Sequence, residues 1–175
     1  MSTKLTPELE KIVEERVKER ENEIYEHFSD FIFSRVGNII KDMKERFGEE
    51  VYDVIWEAHS ERVKDEWRKK AEEHGDNSIE SLIELLWKPL QQHGFEYTME
   101  KTDSGVQMKC TKCPTANRAL RLGVGEQKYY DICKNDWAIA EGFNPNIGFT
   151  MTKTLMQGDD CCNHFYYYKD KSKQS

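Results

Sequence analysis

A chain of 175 residues with four Trp, eight Tyr and eight Phe is too aromatic for a disordered polymer and large enough to bury one real core. Its formal net charge of −7 excludes the clustered Lys and Arg footprint that displaces counterions from nucleic acid. The charged, periodic N-terminal stretch is unlike a signal peptide, and no uninterrupted apolar run reaches the ~18 residues a membrane helix needs; the expectation is a cytoplasmic protein binding neither nucleic acid nor membrane. Thiols stay reduced there, so five cysteines point to chemistry, ligation or packing rather than to a disulfide framework.

The chain opens with a helical signature: Thr6 as cap, Pro7 at the first helical position, Glu8 in the first turn, then Leu9, Ile12, Val13 and Val17 on one stripe. The stripe resumes from Ile24 to Phe47 after the polar run Lys18 to Glu23, so one long helix or two in tandem fit, with Gly48 as the stop. A second amphipathic helix is expected over about residues 49–73. A third opens on Asn77 with Glu80 three residues on, ends at Gly94, and should be kinked by Pro89.

After Gly94 the period becomes two: Phe95, Tyr97 and Met99, a turn at Asp103-Ser104-Gly105, then Val106, Met108 and Cys110 form a hairpin. Short helices follow, Pro114 to Leu122 and Glu126 to Glu141, and a second hairpin pairs Phe149 to Leu155 with Cys161 to Tyr168. The fold class is α+β: long N-terminal amphipathic helices, then a small antiparallel sheet of two hairpins with two short helices between them. By organisation, 1–76 is a helical region, 77–168 an α+β region and 169–175 a tail, the whole forming one compact unit; the N-terminal helices are an expected route to a homo-oligomer.

The cysteines differ in setting. Cys113 precedes Pro114 at a helix N-terminus, where free N–H groups favour a thiolate or where it is simply a cap. Cys110 falls on an apolar strand face. Cys133 and Asp136 are three apart on an expected helix and share a face, either as thiol and carboxylate or as part of a buried stripe with Tyr130 and Trp137. In the last strand, alternation puts Cys162, His164 and Tyr166 on one face and Cys161, Asn163 and Phe165 on the other. Cys162 and His164 form a nucleophile and base pair, ligate a metal, or pack. No cofactor is required; zinc held by Cys113, Cys133, Cys162 and His164 stays an alternative.

Cys113-Pro114, Cys133-x-x-Asp136, Phe143-Asn144-Pro145, Thr152-Lys153-Thr154-Leu155 and Gly158-Asp159-x-x-Cys162 together resemble the L-2-amino-thiazoline-4-carboxylic acid hydrolase family, over roughly residues 85 to 168. The Gly-Asp-x-x-Cys segment is also similar to small-molecule-binding modules of the four-vinyl-reductase type. The family resemblance implies a hydrolase that opens a cyclic amidine by adding water at the carbon between sulfur and nitrogen. On that reading a thiolate at Cys113, Cys133 or Cys162 attacks, Asp136 or Asp159 holds the amidine and His164 moves protons. Trp137, Thr152 and Asn144 are further substrate contacts. The alternative is a sensor module in which the same residues hold a small ligand or metal without turnover.

Overall fold

The computed structural model describes residues 6–169; apart from Lys169, the expected tail lies outside them. Six helices and four strands form an α+β fold in the order α1 (Pro7–Phe47), α2 (Glu50–His74), α3 (Ile79–Gln92), β1 (Glu96–Thr102), β2 (Gly105–Lys112), α4 (Pro114–Arg121), α5 (Gly125–Asp131), α6 (Asp136–Phe143), β3 (Ile147–Thr150) and β4 (Cys162–Tyr168).

The N-terminal stripe resolves into a single helix of 41 residues. Thr6 caps it, its Oγ1 accepting the Leu9 amide at 3.4 Å, and Gly48 ends it in a positive-φ conformation that a side chain would strain. Only its C-terminal half joins the body, where Gly37 and Ile40 are buried. A Cβ on Gly37 would lie 2.5 Å from Val124 Cβ, so the close approach of α1 to the chain after α4 requires glycine. Asp30 strengthens that contact by accepting from Arg118 at 3.1 Å and Arg121 at 2.7 Å. Buried Lys128 pairs with Asp131 at 2.6 Å and places its ammonium 4.8 Å from the Phe33 ring centroid. On the opposite face of α1, Val13, Val17, Ile24, Phe28 and Phe31 are exposed.

The third helix starts one residue later than the Asn77 cap expected from sequence. Ser78 is the N-cap, and Asp76 accepts the Ser78 amide and the Ser78 and Ser81 hydroxyls at 2.9, 3.0 and 2.6 Å. These donors, Ser81 foremost, hold the Asp76 carboxyl below its ordinary range. The helix continues through Pro89 to Gln92.

The sheet order is β1-β2-β4-β3, antiparallel throughout. The first hairpin forms where expected; the second differs. Its first strand stops at Thr150, and residues 151–161 form a loop with a 3-10 turn at Leu155–Gln157. Asn163 explains the stop: its Oδ1 accepts the amides of Thr152 at 2.9 Å and Lys153 at 2.7 Å, so a side chain occupies donors that would otherwise seek a ladder partner. The expected helix over Glu126 to Glu141 is also broken, into α5, a 3-10 turn at Cys133–Asn135 and α6. Asn135 Nδ2 donates to the Asp131 carbonyl at 2.9 Å and stabilises the break.

One face of the sheet carries Val106, Met108, Cys110, Cys162 and Tyr166 into a core shared with Trp67, Leu82, Trp87, Phe143 and Phe149. Fully burying each large side chain there stabilises the fold by about 1.5–3 kcal/mol before entropy is counted. Helices α2 and α6 approach backbone to backbone at Gly142, and Trp67 meets Phe143 edge-on at 6.2 Å. This packing fixes α6, and with it Asp136, beside the strand bearing His164.

Candidate active site

Four of the five cysteines gather where β2 hands over to α4. All five are free thiols. Cys110 stands directly opposite Cys162 in the ladder between β2 and β4. Cys113 follows as the N-cap of α4, and Cys133 opens the 3-10 turn before α6. The four are near enough for each to feel the charge of others in the group. Cys161, buried on its own, points its thiol towards Asp160 Oδ1 at 3.8 Å.

Their acidities separate them. The Cys113 sulfur accepts the Ala116 amide at 3.3 Å, as an N-cap should, yet burial outweighs that bond and pushes its thiol up. Of the two readings open for that helix position, thiolate or plain cap, the thiolate is therefore not favoured. Burial, with the nearby Asp136 charge adding to it, also pushes the Cys133 thiol up. Cys110 is pushed up by its hydrogen bond to Cys162 and by burial; its thiol reaches either the Cys162 sulfur or the Lys112 carbonyl, the latter at 3.3 Å.

Cys162 goes the other way, down to about 6. Donation from Cys110 is the main cause, and burial opposes it. The Leu155 amide donates to its Sγ at 3.3 Å, the Thr154 hydroxyl lies 3.7 Å away, and the His164 imidazole is close by. Preorganised donors around a sulfur favour its anion.

His164 is buried, with Nε2 3.1 Å from Asp136 Oδ2. When Nε2–H donates to that carboxylate, Nδ1 carries a lone pair, and Nδ1 is buried without a hydrogen-bond partner in the described part of the chain. Trp87 and Phe149 flank the imidazole at ring separations of 4.9 and 5.6 Å.

The remaining sequence candidates lie elsewhere or are already hydrogen-bonded. Asp159 accepts the Thr154 amide at 2.7 Å, and exposed Thr152 accepts from Asn163 Nδ2 at 2.8 Å, so both shape the loop that delivers Leu155. Asn144 donates to the Asn77 carbonyl and accepts from the Asn146 amide, both at 2.9 Å, tying down the turn after α6. Trp137 packs edge-on against Phe149 at 4.9 Å. Among the described residues no three His, Cys, Asp or Glu side chains are disposed to hold one metal ion. The set Cys113, Cys133, Cys162 and His164 is accordingly not disposed around one point. A groove of about 640 Å³ lined by Lys64, Arg68, Glu72, Asp76 and Glu141 contains none of the candidates. Thr154 and Leu155 belong to the Thr152-Lys153-Thr154-Leu155 motif, whereas the Cys110–Cys162 pairing has no motif of its own; the apolar alternation of both strands is the signal that places the two thiols on one face.

A small antiparallel sheet covered by helices, with a cysteine two residues from an imidazole–carboxylate pair, defines an α+β protein. The chain matches the family model of L-2-amino-thiazoline-4-carboxylic acid hydrolase over residues 19–166 and belongs to that family. The match reaches back through most of α1, beyond the motifs visible by eye. None of the curated proteins matches the chain. Among solved structures it is similar to a trafficking protein particle complex subunit 3 from Naegleria fowleri covalently bound to palmitic acid. That likeness has a TM-score of 0.45 and 10% identity, covering 83% of this chain and 97% of that one. Among the described residues no helix is long and apolar enough to cross a membrane.

Proposed function

We propose that this protein hydrolyses a small cyclic amidine of the 2-amino-thiazoline-4-carboxylate type, with Cys162 as nucleophile. The observation that carries the reading is the contrast within the thiol cluster: Cys162 alone is pushed down, to about 6, while Cys110, Cys113 and Cys133 are pushed up. Family membership supplies the substrate class.

In the proposed reaction the Cys162 sulfur bonds to the carbon between the ring sulfur and ring nitrogen, and the C=N electron pair moves to nitrogen, which takes a proton. Collapse of that tetrahedral carbon, driven by the exocyclic nitrogen lone pair, breaks its bond to the ring nitrogen, which takes a second proton and leaves as an amine, opening the ring. Water then adds to the same carbon, which stays bonded to Cys162, and expels the thiolate, so the sum is substrate plus one water. Thiolate attack suits the step because the sulfur is ionised at neutral pH yet remains strongly nucleophilic. His164 is the proton carrier, its free Nδ1 giving and taking protons while Asp136 fixes the ring through Nε2. The Leu155 amide, already 3.3 Å from the sulfur, holds the thiolate in line between turnovers.

The test is a mass-spectrometric time course with L-2-amino-thiazoline-4-carboxylate. A ring-opened product heavier by one water, lost in Cys162→Ser and kept in Cys161→Ser, supports the reading. Full turnover by Cys162→Ser would remove Cys162 as nucleophile.

A further inference from the structure

Cys110 is not needed as an attacking group in that reaction, yet it is the residue set squarely against Cys162. The two are directly opposed partners across β2 and β4, both buried and close enough that each shifts the other's acidity, with the Cys110 thiol donating to the Lys112 carbonyl at 3.3 Å. Directly opposed residues of an antiparallel ladder have Cα atoms about 4.5–5.5 Å apart, inside the range of about 4.4–6.8 Å that a disulfide spans. No other cysteine is so placed for Cys162: Cys113 is held by the Ala116 amide, Cys133 sits on a separate turn, and Cys161 points towards Asp160. The anion-favouring sulfur and the thiol facing it across the ladder are thus placed as an attacking and a resolving group.

From this geometry we propose a modification site: a hydroperoxide oxidises Cys162, and Cys110 resolves it as a reversible Cys110–Cys162 disulfide. In the first step the Cys162 thiolate attacks one peroxide oxygen and the O–O bond breaks. The departing hydroxide takes a proton to become water, so sulfur is oxidised to sulfenic acid and peroxide is reduced. In the second, the Cys110 sulfur attacks the Cys162 sulfur, the S–O bond breaks, and hydroxide leaves with the Cys110 proton as a second water. The sum is two thiols and one hydrogen peroxide to one disulfide and two waters. A small thiol reverses it by exchange. Oxidation removes the thiolate, so the same bond switches off chemistry at Cys162. The proposal rests on ladder register and not on the hydrolase reading.

The experiment uses the full, reduced chain treated with one equivalent of hydrogen peroxide, alkylated and mapped without reduction, with Cys161→Ser run alongside so that the last strand contributes a single sulfur. The expected result is a Cys110–Cys162 crosslink, two hydrogens lighter, in both proteins and lost on adding dithiothreitol. In Cys110→Ser, dimedone should instead trap a sulfenic acid on Cys162. If that variant does not fold, the wild-type map decides alone. A crosslink joining any other pair, sulfinic acid at Cys162 with Cys110 still free, or no oxidation would overturn the proposal.

Discussion

His164 Nε2 lies 3.1 Å from Asp136 Oδ2, joining the middle of β4 to the first residue of α6. A strand alone leaves an imidazole free to rotate; the carboxylate from a packed helix fixes its plane and decides which nitrogen keeps the lone pair. The geometry depends on α6 beginning at residue 136, which follows from the break after α5.

Asp136→Asn should therefore separate orientation from folding. Loss of the fixed imidazole is expected to lower kcat on the amidine substrate by about 10²-fold or more, within the range usual for positioned acid–base groups, with the far-UV spectrum unchanged. The same substitution removes a negative charge that raises the Cys133 thiol, so Cys133 should titrate at lower pH in the variant. Alkylation of Cys133 against pH reads that shift; a purely structural role for Asp136 would leave it unmoved.

The acidity of Cys162 predicts a pH profile. With its thiol at about 6 against an ordinary 9.0, iodoacetamide labelling of Cys162 should be half-maximal near pH 6 and fall away as pH drops through that value. Because the folded value is depressed, the thiolate's contribution to stability is complete only above about 9 and is lost as pH falls towards 6. Labelling with a midpoint near 9 would show that the donors around the sulfur do not act on it.

The fold was legible wherever local chemistry decided it. Thr6 and Pro7 announce the first helix, and alternation from Tyr97 to Cys110 announces the first hairpin. Local pattern misled where a side chain outcompeted the backbone: Asn163 ends β3 early, and Asn135 helps split the helix that joined Cys133 to Asp136 on paper. The sequence offers the cysteines, Asp136 and His164 as candidates, but not the differences in acidity among the thiols. Helix position leaves Cys113 open as a thiolate or a plain cap, and burial, a property of the whole fold, weighs against the thiolate. Cys110 looked like packing because its partner is 52 residues further along the chain and strand register is set by tertiary contact.

Gly142→Ala should destabilise the protein without touching the thiols. A Cβ there would sit 2.5 Å from the Lys64 Cα and carbonyl oxygen, both backbone atoms that cannot rotate away. Prying α6 from α2 is expected to cost about 1–3 kcal/mol, as overpacking usually does, visible as a lower denaturant midpoint at unchanged slope.

Asn163→Ala tests whether the loop tunes the acidity of Cys162. The Asn163 side chain makes no hydrogen bond to the Cys162 sulfur, but its Oδ1 holds the Thr152 and Lys153 amides, and the loop those amides begin delivers the Leu155 N–H to that sulfur. Removing the amide group releases both donors at an exposed edge, where water replaces the bond, so the stability loss should be about 1 kcal/mol. The larger effect falls on acidity: with the loop loosened, Leu155 and Thr154 no longer hold their places against the thiolate, and the labelling midpoint of Cys162 should move up from about 6. Asn163→Asp keeps the accepting oxygen and should hold the midpoint closer to 6 than Ala does. An unchanged midpoint in Asn163→Ala would mean that Cys110 alone sets the acidity, and Cys110→Ser should then carry the whole shift.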